Sequence, residues 1–524
     1  MIDTAALREK VLDLAIRGKL VPQDPNDEPA SVLLERIRQQ KQQMVKDGKL
    51  KPKDIKGDTV IFVGDDNLHY EKFADGSVKC IEDEIPFGIP DAWVWVRLGD
   101  LAQYKKGPFG SSITKAMFIP DSPTAIKVYE QKNAINKDAS LGSYYVSAEK
   151  YESLRGFEVF PNDIIVSCAG TIGETYVMPE TMRKGIINQA LMKISLYDLG
   201  IIDFYLIYFD CQLKNAAREQ GHGVALKNIP PFDLLKKYLV PIPPIQEQNR
   251  IVQAVGNLLG TVNAVDTARD EFLDLVGSVK SKILDLAIRG KLVPQDPADE
   301  PASALLERIR AEKEELIRQG KIKRDKKESI IFRGEDNSYY EKIGTQVINI
   351  DGEIPFALPN GWKFVRLKEL WELISGRDLS PNDYNTDKVG IPYITGASNF
   401  MDGAVELTRW TASPQVLTEV GDLLLTCKGT VGEMAFNDFG SAHIARQIMA
   451  IRNTFELNAQ YLKLCLDFYI MSIKSAAKGL IPGISREDIQ NLILPVPSPA
   501  YQVRVVERVM QLMGIVNSIE KSLR

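Results

Sequence analysis

The sequence predicts an α+β protein that carries one plan twice: two α/β domains held apart by a long antiparallel, coiled-coil-like helical rod. Three observations lead to this prediction. A segment near the N-terminus recurs in the middle of the chain, one long segment follows a heptad pattern, and the inserts between them alternate short β-branched runs with turn residues. The chain ends would together complete the rod, so the repeat is circularly organised around a pseudo-two-fold axis.

The internal repeat is strongest where it begins. Residues 10–41 align without a gap with residues 282–313, and 27 of these 32 positions are identical. Residues 107–150, by contrast, show little likeness to residues 376–418. We expect the repeated parts to share one task and the divergent inserts to perform two different ones. The predicted regions are an N-terminal helical region at 1–85, a first variable domain at 86–244, a central helical region at 245–350, a second variable domain at 351–498 and a C-terminal helix at 499–524.

The rod is predicted from apolar residues spaced alternately four and three positions apart. Ten of eleven such positions from 251 to 286 are apolar, and only Arg269 interrupts them. A heptad pattern of this length without proline favours one long helix that packs on a partner helix. The C-terminus repeats the start of the pattern, and Leu7, Val11 and Leu14 continue it at the N-terminus. The predicted seam residues are Ile251, Val255, Leu258, Val262, Val265, Phe272, Val276, Val279, Ile283, Leu286, Val505, Val509, Leu512, Val516, Ile519 and Leu523.

Shorter elements follow from local signals. The phrase GKLVPQDP after each rod segment predicts a turn, and Pro29 and Pro301 suit the first turn of a second helix. Within the inserts, residues 164–167 and 423–426 have strand composition, and residues 203–220 and 458–478 have helical spacing.

Composition excludes several classes of protein. The 524 residues are 44% hydrophobic and 26% charged, which is typical of soluble globular chains, and no apolar run approaches the ~18 residues of a membrane span. Five scattered cysteines, none of them in a C-x-x-C pair, fit reduced thiols in a cytoplasm. A formal charge of −5 gives no dominant basic field.

No catalytic constellation is present in the sequence. The three histidines have neither metal-ligand nor triad spacing, and phosphate-binding and nucleophile-elbow motifs are absent. The phrase NIPPF at 228–232 superficially resembles the loop of amino-methyltransferases, but it has an extra residue and no Gly-rich cofactor loop before it. We therefore predict a non-catalytic protein without a metal site or cofactor of its own.

One resemblance is specific. LVPIPPIQEQNRIV at 239–252 resembles the phrase that closes a target-recognition domain in the DNA-specificity (S) subunits of type I restriction–modification enzymes. SCAGTIG at 167–173, TCKGTVG at 426–432 and IPYITG at 391–396 resemble other recurring phrases of those domains. The duplicated order covers essentially the whole chain, although PVPSPAYQVRVV at 495–506 departs from the Pro-Pro-x-x-Glu-Gln form of the closing phrase.

The resemblance implies a subunit without activity of its own, in the cytoplasm of a prokaryote. Each variable domain would read one half of a split site in double-stranded DNA through the major groove, and the rod would set the gap between the halves. Two methyltransferase (M) subunits would bring S-adenosylmethionine and methylate adenine, and restriction/translocase (R) subunits would bring the ATP- and Mg-dependent nuclease. Because the inserts differ, we expect an asymmetric target whose half-sites lie roughly one helical turn, ~34 Å, apart for docking on one DNA face.

The residues expected to face DNA are polar, basic or aromatic groups in the non-repeated loops. In the first domain they are Lys105, Lys106, Ser111, Ser112, Lys115, Lys127, Tyr129, Gln131, Lys132 and Asn133. In the second domain they are Arg377, Tyr393, Thr395, Ser398, Asn399, Lys428 and Arg446.

Charge limits what the chain does alone. Residues 88–244 carry 17 Lys and Arg against 16 Asp and Glu, and residues 357–497 carry 13 against 15. Neither insert is basic, so we expect the partner subunits to complete the affinity for DNA. Two alternatives stay open at this point: the specificity subunit of a type IIB-like enzyme whose partner fuses methylation and cleavage, and a helical scaffold that does not bind DNA.

Overall fold

The computed structural model describes residues 2–169, 171–220, 232–322, 324, 328–401, 403–455, 457–476 and 483–523, with all side chains except those of 212–220, 232 and 472–476. The chain divides into two compact units, residues 2–268 and 269–524. Each unit combines helices with several small sheets, as the α+β prediction requires. Among the described helices, none is long and apolar enough to cross a membrane.

In the first unit, the N-terminal helix Thr4–Ile16 lies antiparallel to the part of the long helix Ile245–Ile288 that belongs to this unit. Near the beginning of the short helix, Arg8 Nη2 donates to Asp266 Oδ2 at 2.6 Å. Near its end, the helix packs on the fully buried Ile251. The start of the short helix thus contacts a later residue of the long helix than its end does, which makes the two helices antiparallel.

The predicted turn after this helix depends on a glycine. Gly18 has a φ of +66°, and the Lys19 N–H donates to the Leu14 carbonyl at 2.9 Å, which closes the last helical turn. A Cβ on Gly18 would lie 2.5 Å from Pro90 Cγ. Gly290 repeats this arrangement in the second unit with a φ of +68°.

A second helix follows in each unit, Ala30–Lys46 and Ala302–Arg318. The preceding prolines, Pro29 and Pro301, are N-cap residues with extended backbone, one position before the first turn to which the sequence assigned them. Proline is also tolerated at the N-cap, because the backbone nitrogen of that residue makes no hydrogen bond within the helix. The buried face of the first of these helices consists of Ala30, Leu33, Leu34, Ile37 and Lys41.

The two variable domains have the same sheet topology despite their divergent sequences. In the first unit, one antiparallel sheet has the order Thr175–Val177, Ile164–Ser167, Leu191–Leu196, Ala102–Lys106, and a mixed sheet has the order Tyr145–Val146, Ile126–Tyr129, Gly185–Ile187, Glu158–Val159. In the second unit, the corresponding orders are Met434–Phe436, Leu423–Thr426, Ile448–Arg452, Glu372–Ser375 and Trp410–Thr411, Ile391–Ile394, Ala442–Ile444, Leu417–Thr418. The second and third strands of each mixed sheet are parallel.

The other elements complete each unit. A three-stranded hairpin sheet precedes each variable domain, at Thr59–Val63, His69–Phe73, Val78–Cys80 and at Ser329–Arg333, Tyr339–Ile343, Gln346–Asn349. The second unit also has the hairpin Phe400–Met401, Ala404–Val405. The remaining α-helices among the described residues are Pro52–Ile55, Leu98–Leu101, Gln131–Ile135, Ala148–Leu154, Ile202–Gln220, Phe232–Leu235, Ala459–Ala476, Arg486–Gln490 and Pro499–Leu523.

A two-stranded clip closes each variable domain. Val94–Arg97 pairs antiparallel with Leu239–Ile242, and Lys363–Arg366 pairs with Ile493–Val496. Arg97 Nη1 donates to the Lys237 carbonyl, 140 residues away, at 2.7 Å. We call these paired strands the first and second closing clips.

The arginine of each clip also holds the hairpin sheet. Arg97 binds Glu71 through two parallel N–H···O contacts of 3.0 and 2.7 Å, and Arg366 binds Glu341 at 3.1 and 2.7 Å. Both glutamates are buried. Burial raises the pKa of Glu341, but the hydrogen bonds from Arg366 outweigh it, so the pKa is below its ordinary value. Paired and hydrogen-bonded charges of this kind are the form in which proteins tolerate buried ions.

The divergent second closing phrase keeps its principal contacts. Gln248 Nε2 donates to the Pro243 carbonyl at 2.9 Å, and Gln502 repeats this bond to the Pro497 carbonyl at 3.2 Å. An arginine two residues later binds an aspartate of the repeated turn in both units, Arg250 to Asp27 and Arg504 to Asp299, each with a shortest distance of 2.6 Å.

One buried position differs between the units. In the first, Glu247 accepts from Trp93 Nε1 at 3.0 Å, and burial raises the pKa of Glu247. In the second unit Tyr501 takes this place, and Trp362 Nε1 donates to Gln295 Oε1 at 3.0 Å. The tryptophan keeps a hydrogen-bond partner in both units although the partner residue has changed.

The predicted seam residues divide into two rows. In the second unit, the C-terminal helix Pro499–Leu523 contacts the long helix, with Lys280 bonded to Glu520. One row is buried: Ile251, Val255, Val262, Val276, Ile283, Val505, Val509 and Val516. The other row departs from the predicted seam, because the helices that contact the long helix within each unit pack on the buried residues instead. Its members Leu258, Val265, Phe272, Val279 and Ile519 are 39–44% exposed, while Leu286, Leu512 and Leu523 are half-buried.

Candidate nucleic-acid interface

In the first variable domain, four segments that follow strands meet at one end of the two sheets. We call residues 107–112, 130–133, 168–169 and 188–190 the first loop cluster. Backbone bonds join them: the Gly107 N–H donates to the Leu191 carbonyl at 2.9 Å, and the Cys168 N–H donates to the Ala190 carbonyl at 2.9 Å. Gln131 Nε2 donates to the Ala169 carbonyl. The cluster therefore has a backbone fixed by the sheet ends beneath it.

The second variable domain repeats this arrangement. Its second loop cluster consists of residues 376–378, 395–399, 427–433 and 445–447. The Gly376 N–H donates to the Ile448 carbonyl at 3.1 Å, and the Cys427 N–H donates to the Gln447 carbonyl at 2.8 Å. These bonds match, position by position, those of the first cluster.

A glycine is needed where the loops cross. A Cβ on Gly107 would lie 1.8 Å from the Asn188 carbonyl oxygen, and a Cβ on Gly376 would lie 2.1 Å from the Ala445 carbonyl oxygen. No side chain fits at such distances from backbone atoms. The crossing explains why a glycine directly follows the strand Ala102–Lys106 in one domain and the strand Glu372–Ser375 in the other.

The ten residues proposed from the sequence for the first domain differ in accessibility. Lys127, Tyr129 and Asn133 are buried, and Ser112 and Gln131 are half-buried. The exposed members are Lys105, Lys106, Ser111, Lys115 and Lys132.

The buried members have structural partners. Lys127 Nζ donates to the Ser140 carbonyl at 2.8 Å, and burial lowers the pKa of Lys127. The Tyr129 hydroxyl donates to the Arg183 carbonyl at 2.5 Å, and burial raises the pKa of Tyr129 to about 12. Asn133 is fully buried, and its amide is bonded to three backbone groups of the loop that follows Tyr129. These buried groups therefore hold the loop.

In the second domain, Tyr393 and Asn399 are buried and Thr395 is half-buried. Asn399 Oδ1 accepts from the Thr395 N–H at 3.0 Å, and its Nδ2 donates to the Glu406 carbonyl at 2.9 Å. Tyr393 packs beside His443, whose fully buried ring is bonded to backbone carbonyls. The exposed members of the set are Arg377, Ser398, Lys428 and Arg446.

Two exposed side chains of the first cluster were missed by the sequence analysis. Phe109 is 86% exposed, and Gln189 is exposed in the turn between two buried strands. A signal was available for Gln189, because Ile187 and Met192 match Ile444 and Met449 when the halves are aligned, which places Gln189 opposite Arg446.

Across the described ranges, no group of three or more His, Cys, Asp or Glu side chains could hold a metal ion. The phrase at 228–232 falls almost wholly outside the described residues, as does His222. The exposed polar side chains can donate and accept hydrogen bonds, which is the chemistry needed to read base edges.

Comparison with known proteins identifies the family. The family described as "Type I restriction modification DNA specificity domain" matches residues 90–268 and 359–524. Two Escherichia coli proteins, the EcoAI and EcoEI type I restriction enzyme specificity subunits, are each 26% identical over 98% and 99% of this chain and 90% of their own length.

A solved chain described under "Structural basis underlying complex assembly and conformational transition of the type I R-M system" shares the fold, with a TM-score of 0.50. It is 18% identical, and the match covers 84% of this chain and 94% of that one. The repeated frame, the paired domains and the family match lead to one conclusion: the chain belongs to the type I restriction–modification DNA-specificity family.

Proposed function

We propose that this chain is the non-catalytic specificity subunit of a type I restriction–modification complex and that it reads an asymmetric, two-part site in double-stranded DNA. The observation that carries the proposal is the pair of loop clusters, which share one backbone framework and differ in their exposed side chains. A common framework with different polar groups suits two readers of different base sequences.

The DNA-facing set is narrowed by burial. Buried groups whose polar atoms are already bonded have nothing to offer a base edge, so Lys127, Tyr129, Asn133, Tyr393 and Asn399 are assigned to the support of the loops. The proposed contacts are the exposed or half-buried members: Lys105, Lys106, Ser111, Ser112, Lys115, Gln131, Lys132, Arg377, Thr395, Ser398, Lys428 and Arg446.

The helical frame is proposed to form one antiparallel rod with pseudo-two-fold symmetry that fixes the spacing between half-sites. The exposed apolar row supports the docking of further helices: Leu258 and Val265 in the first unit, and Phe272 and Val279 in the second. The helices proposed to dock on these residues belong to two methyltransferase subunits, because the repeated frame presents such a pair of apolar residues in each unit. These subunits would carry S-adenosylmethionine for adenine methylation, and restriction subunits would carry the ATP- and Mg-dependent cleavage.

Co-expression with the methyltransferase subunit, followed by modification-sensitive sequencing of host DNA, tests the proposal. We expect adenine methylation at a single split, asymmetric motif. A palindromic motif would contradict the assignment of different half-sites to the two domains. An assembled complex that leaves host DNA unmethylated would contradict the function itself.

A further inference from the structure

We propose that Gln189 and Arg446 are the base-reading residues at one shared position of the two domains, Gln189 for an adenine and Arg446 for a guanine. The inference rests on the proposed function and deepens it, because it assigns a base to one position in each half-site.

The two residues are structurally equivalent. Gln189 is the second residue after the strand Gly185–Ile187, and Arg446 is the second after Ala442–Ile444. Both strands hold the third place in their mixed sheets. The residue after Gln189 or Arg446 accepts a hydrogen bond from a buried cysteine. The Cys168 N–H donates to the Ala190 carbonyl at 2.9 Å, and the Cys427 N–H donates to the Gln447 carbonyl at 2.8 Å, so the backbone of the turn is fixed in the same way.

Both side chains are exposed at the centre of their loop clusters. Gln189 lies beside Gly107, because a Cβ added to Gly107 would be 3.1 Å from the Cα of Gln189. The exposed Lys106 immediately precedes that glycine. The Arg446 side chain is 69% exposed. The buried asparagines of the same clusters, Asn133 and Asn399, have their amides bonded to their own loops.

Asp378 positions Arg446. The Arg446 N–H donates to Asp378 Oδ1 at 3.1 Å, and Arg446 Nε lies 2.6 Å from Asp378 Oδ2. An arginine held through Nε keeps its Nη1 and Nη2 amino groups for a ligand. Their parallel N–H groups match the O6 and N7 acceptors of guanine in the major groove. Asp378 is thus a positioning residue, with no direct contact to the base.

The chemistry at position 189 selects another base. A glutamine amide offers one donor and one acceptor, which match the N7 acceptor and N6 amino donor of adenine. The same backbone position therefore carries the side chain suited to adenine in one domain and the side chain suited to guanine in the other. This difference is what an asymmetric target requires.

Reciprocal substitutions test the assignment in the assembled methyltransferase complex, with the methylated motif as the readout. Gln189→Arg is expected to change one base of the first half-site from adenine to guanine, and Arg446→Gln to make the opposite change in the second. Each good pair is worth roughly 5- to 150-fold in discrimination. Asp378→Asn is expected to weaken the preference for guanine at that one position and to leave the remaining bases of the motif unchanged.

The controls separate this inference from the function on which it rests. Arg155→Gln changes a solvent-exposed arginine outside the loop clusters, and its motif should equal that of the wild type. In each variant the half-site read by the other domain reports that the complex is assembled. Methylation at an unchanged motif by Gln189→Arg and Arg446→Gln would overturn the inference and leave the function standing. Absence of methylation by the assembled wild-type complex would instead overturn the function.

Discussion

Asn399 holds its own loop together, although asparagine is also suited to contact a base. Its amide bonds to Thr395 and to the Glu406 carbonyl, and its side chain is 1% exposed. From the sequence, a polar residue in a non-repeated loop was equally suited to base contact and to turn formation, because asparagine does both. Burial decided between them, and burial depends on the loop packing that a single sequence does not reveal.

Replacement of Asn399 by alanine is expected to lower the free energy of unfolding by about 2–3 kcal/mol, because several buried backbone and hydroxyl groups lose their partner. Ser398→Ala, one residue away and exposed, is the matched control and should change it by less than about 0.5 kcal/mol. Urea unfolding followed by tryptophan fluorescence measures both. A stable Asn399→Ala variant with a relaxed half-site would show that Asn399 contacts DNA after all.

The half-buried carboxyl of Asp100 gives the first unit a pH dependence. Burial, and then the nearby charge of Asp58, raise the pKa of Asp100 to about 7, although Lys41 acts in the opposite direction. Lys41 Nζ contacts the Asp58 carboxylate at 2.5 Å, and it reaches only the backbone carbonyl of Asp100, at 3.2 Å. The folded state therefore holds this proton more tightly than the unfolded chain does.

Because the folded pKa lies above the unfolded one, Asp100 favours folding below about pH 4 and loses that contribution as the pH rises through about 7. Asp100→Asn removes this loss. Relative to wild type, the variant's free energy of unfolding should increase by up to about 4 kcal/mol between pH 4 and pH 8. Urea unfolding across this pH range measures the difference. Parallel pH profiles for the two proteins would contradict the assignment.

At the scale of elements, helix ends are set by glycines with positive φ. Gly18 and Gly48 both follow a helix and close its last turn, with φ of +66° and +72°. Only Gly18 also has a close neighbour, since a Cβ there would lie 2.5 Å from Pro90 Cγ, whereas no atom lies within 4 Å of a Cβ on Gly48. The pair separates backbone strain from steric overlap.

Gly48→Ala should destabilise the protein by about 1–2 kcal/mol, the cost of the left-handed conformation for a residue with a Cβ. Gly18→Ala should cost clearly more, because the same strain is joined by overlap with a proline ring. Thermal and urea unfolding of the two variants give the comparison. Equal losses would mean that Pro90 moves aside without cost.

The elements were predictable where a local signal existed. The strands at 164–167 and 423–426 match the sequence prediction, and the helices Ile202–Gln220 and Ala459–Ala476 begin within one residue of it. The common topology of the two variable domains was not predicted, because their sequences diverge and strand order depends on contacts between distant residues. The change in the hydrogen-bond partner of the buried tryptophan, from Glu247 in the first unit to Gln295 in the second, could not be predicted either, because it involves three segments that are distant in sequence.

For the whole molecule, charge balance governs the behaviour of the isolated chain. Its 65 Lys and Arg are outnumbered by 70 Asp and Glu. The affinity of a protein for DNA falls with salt in proportion to the number of phosphates that its cations neutralise. A chain without a basic excess is therefore expected to neutralise few phosphates unless its partners contribute theirs.

The isolated chain should bind its target DNA weakly and lose no more than about tenfold in affinity between 50 and 200 mM salt, whereas the methyltransferase complex should lose about 10³-fold or more. Fluorescence anisotropy with a labelled duplex measures both slopes. Tight binding by the chain alone with a steep salt slope would contradict the view that partners complete the affinity.

The closing clips have a consequence for the order of folding. Arg97 and Lys237 are 140 residues apart in sequence, and the corresponding bond of Arg366 to Asn491 spans 125 residues. Contacts between such distant residues are slow to form, because the chain between them must first lose its freedom. A clip is thus expected to form after the domain it encloses has become compact and has brought its own ends together. Each variable domain would then mature as a separate kinetic step, and its attachment to the frame would be the last event.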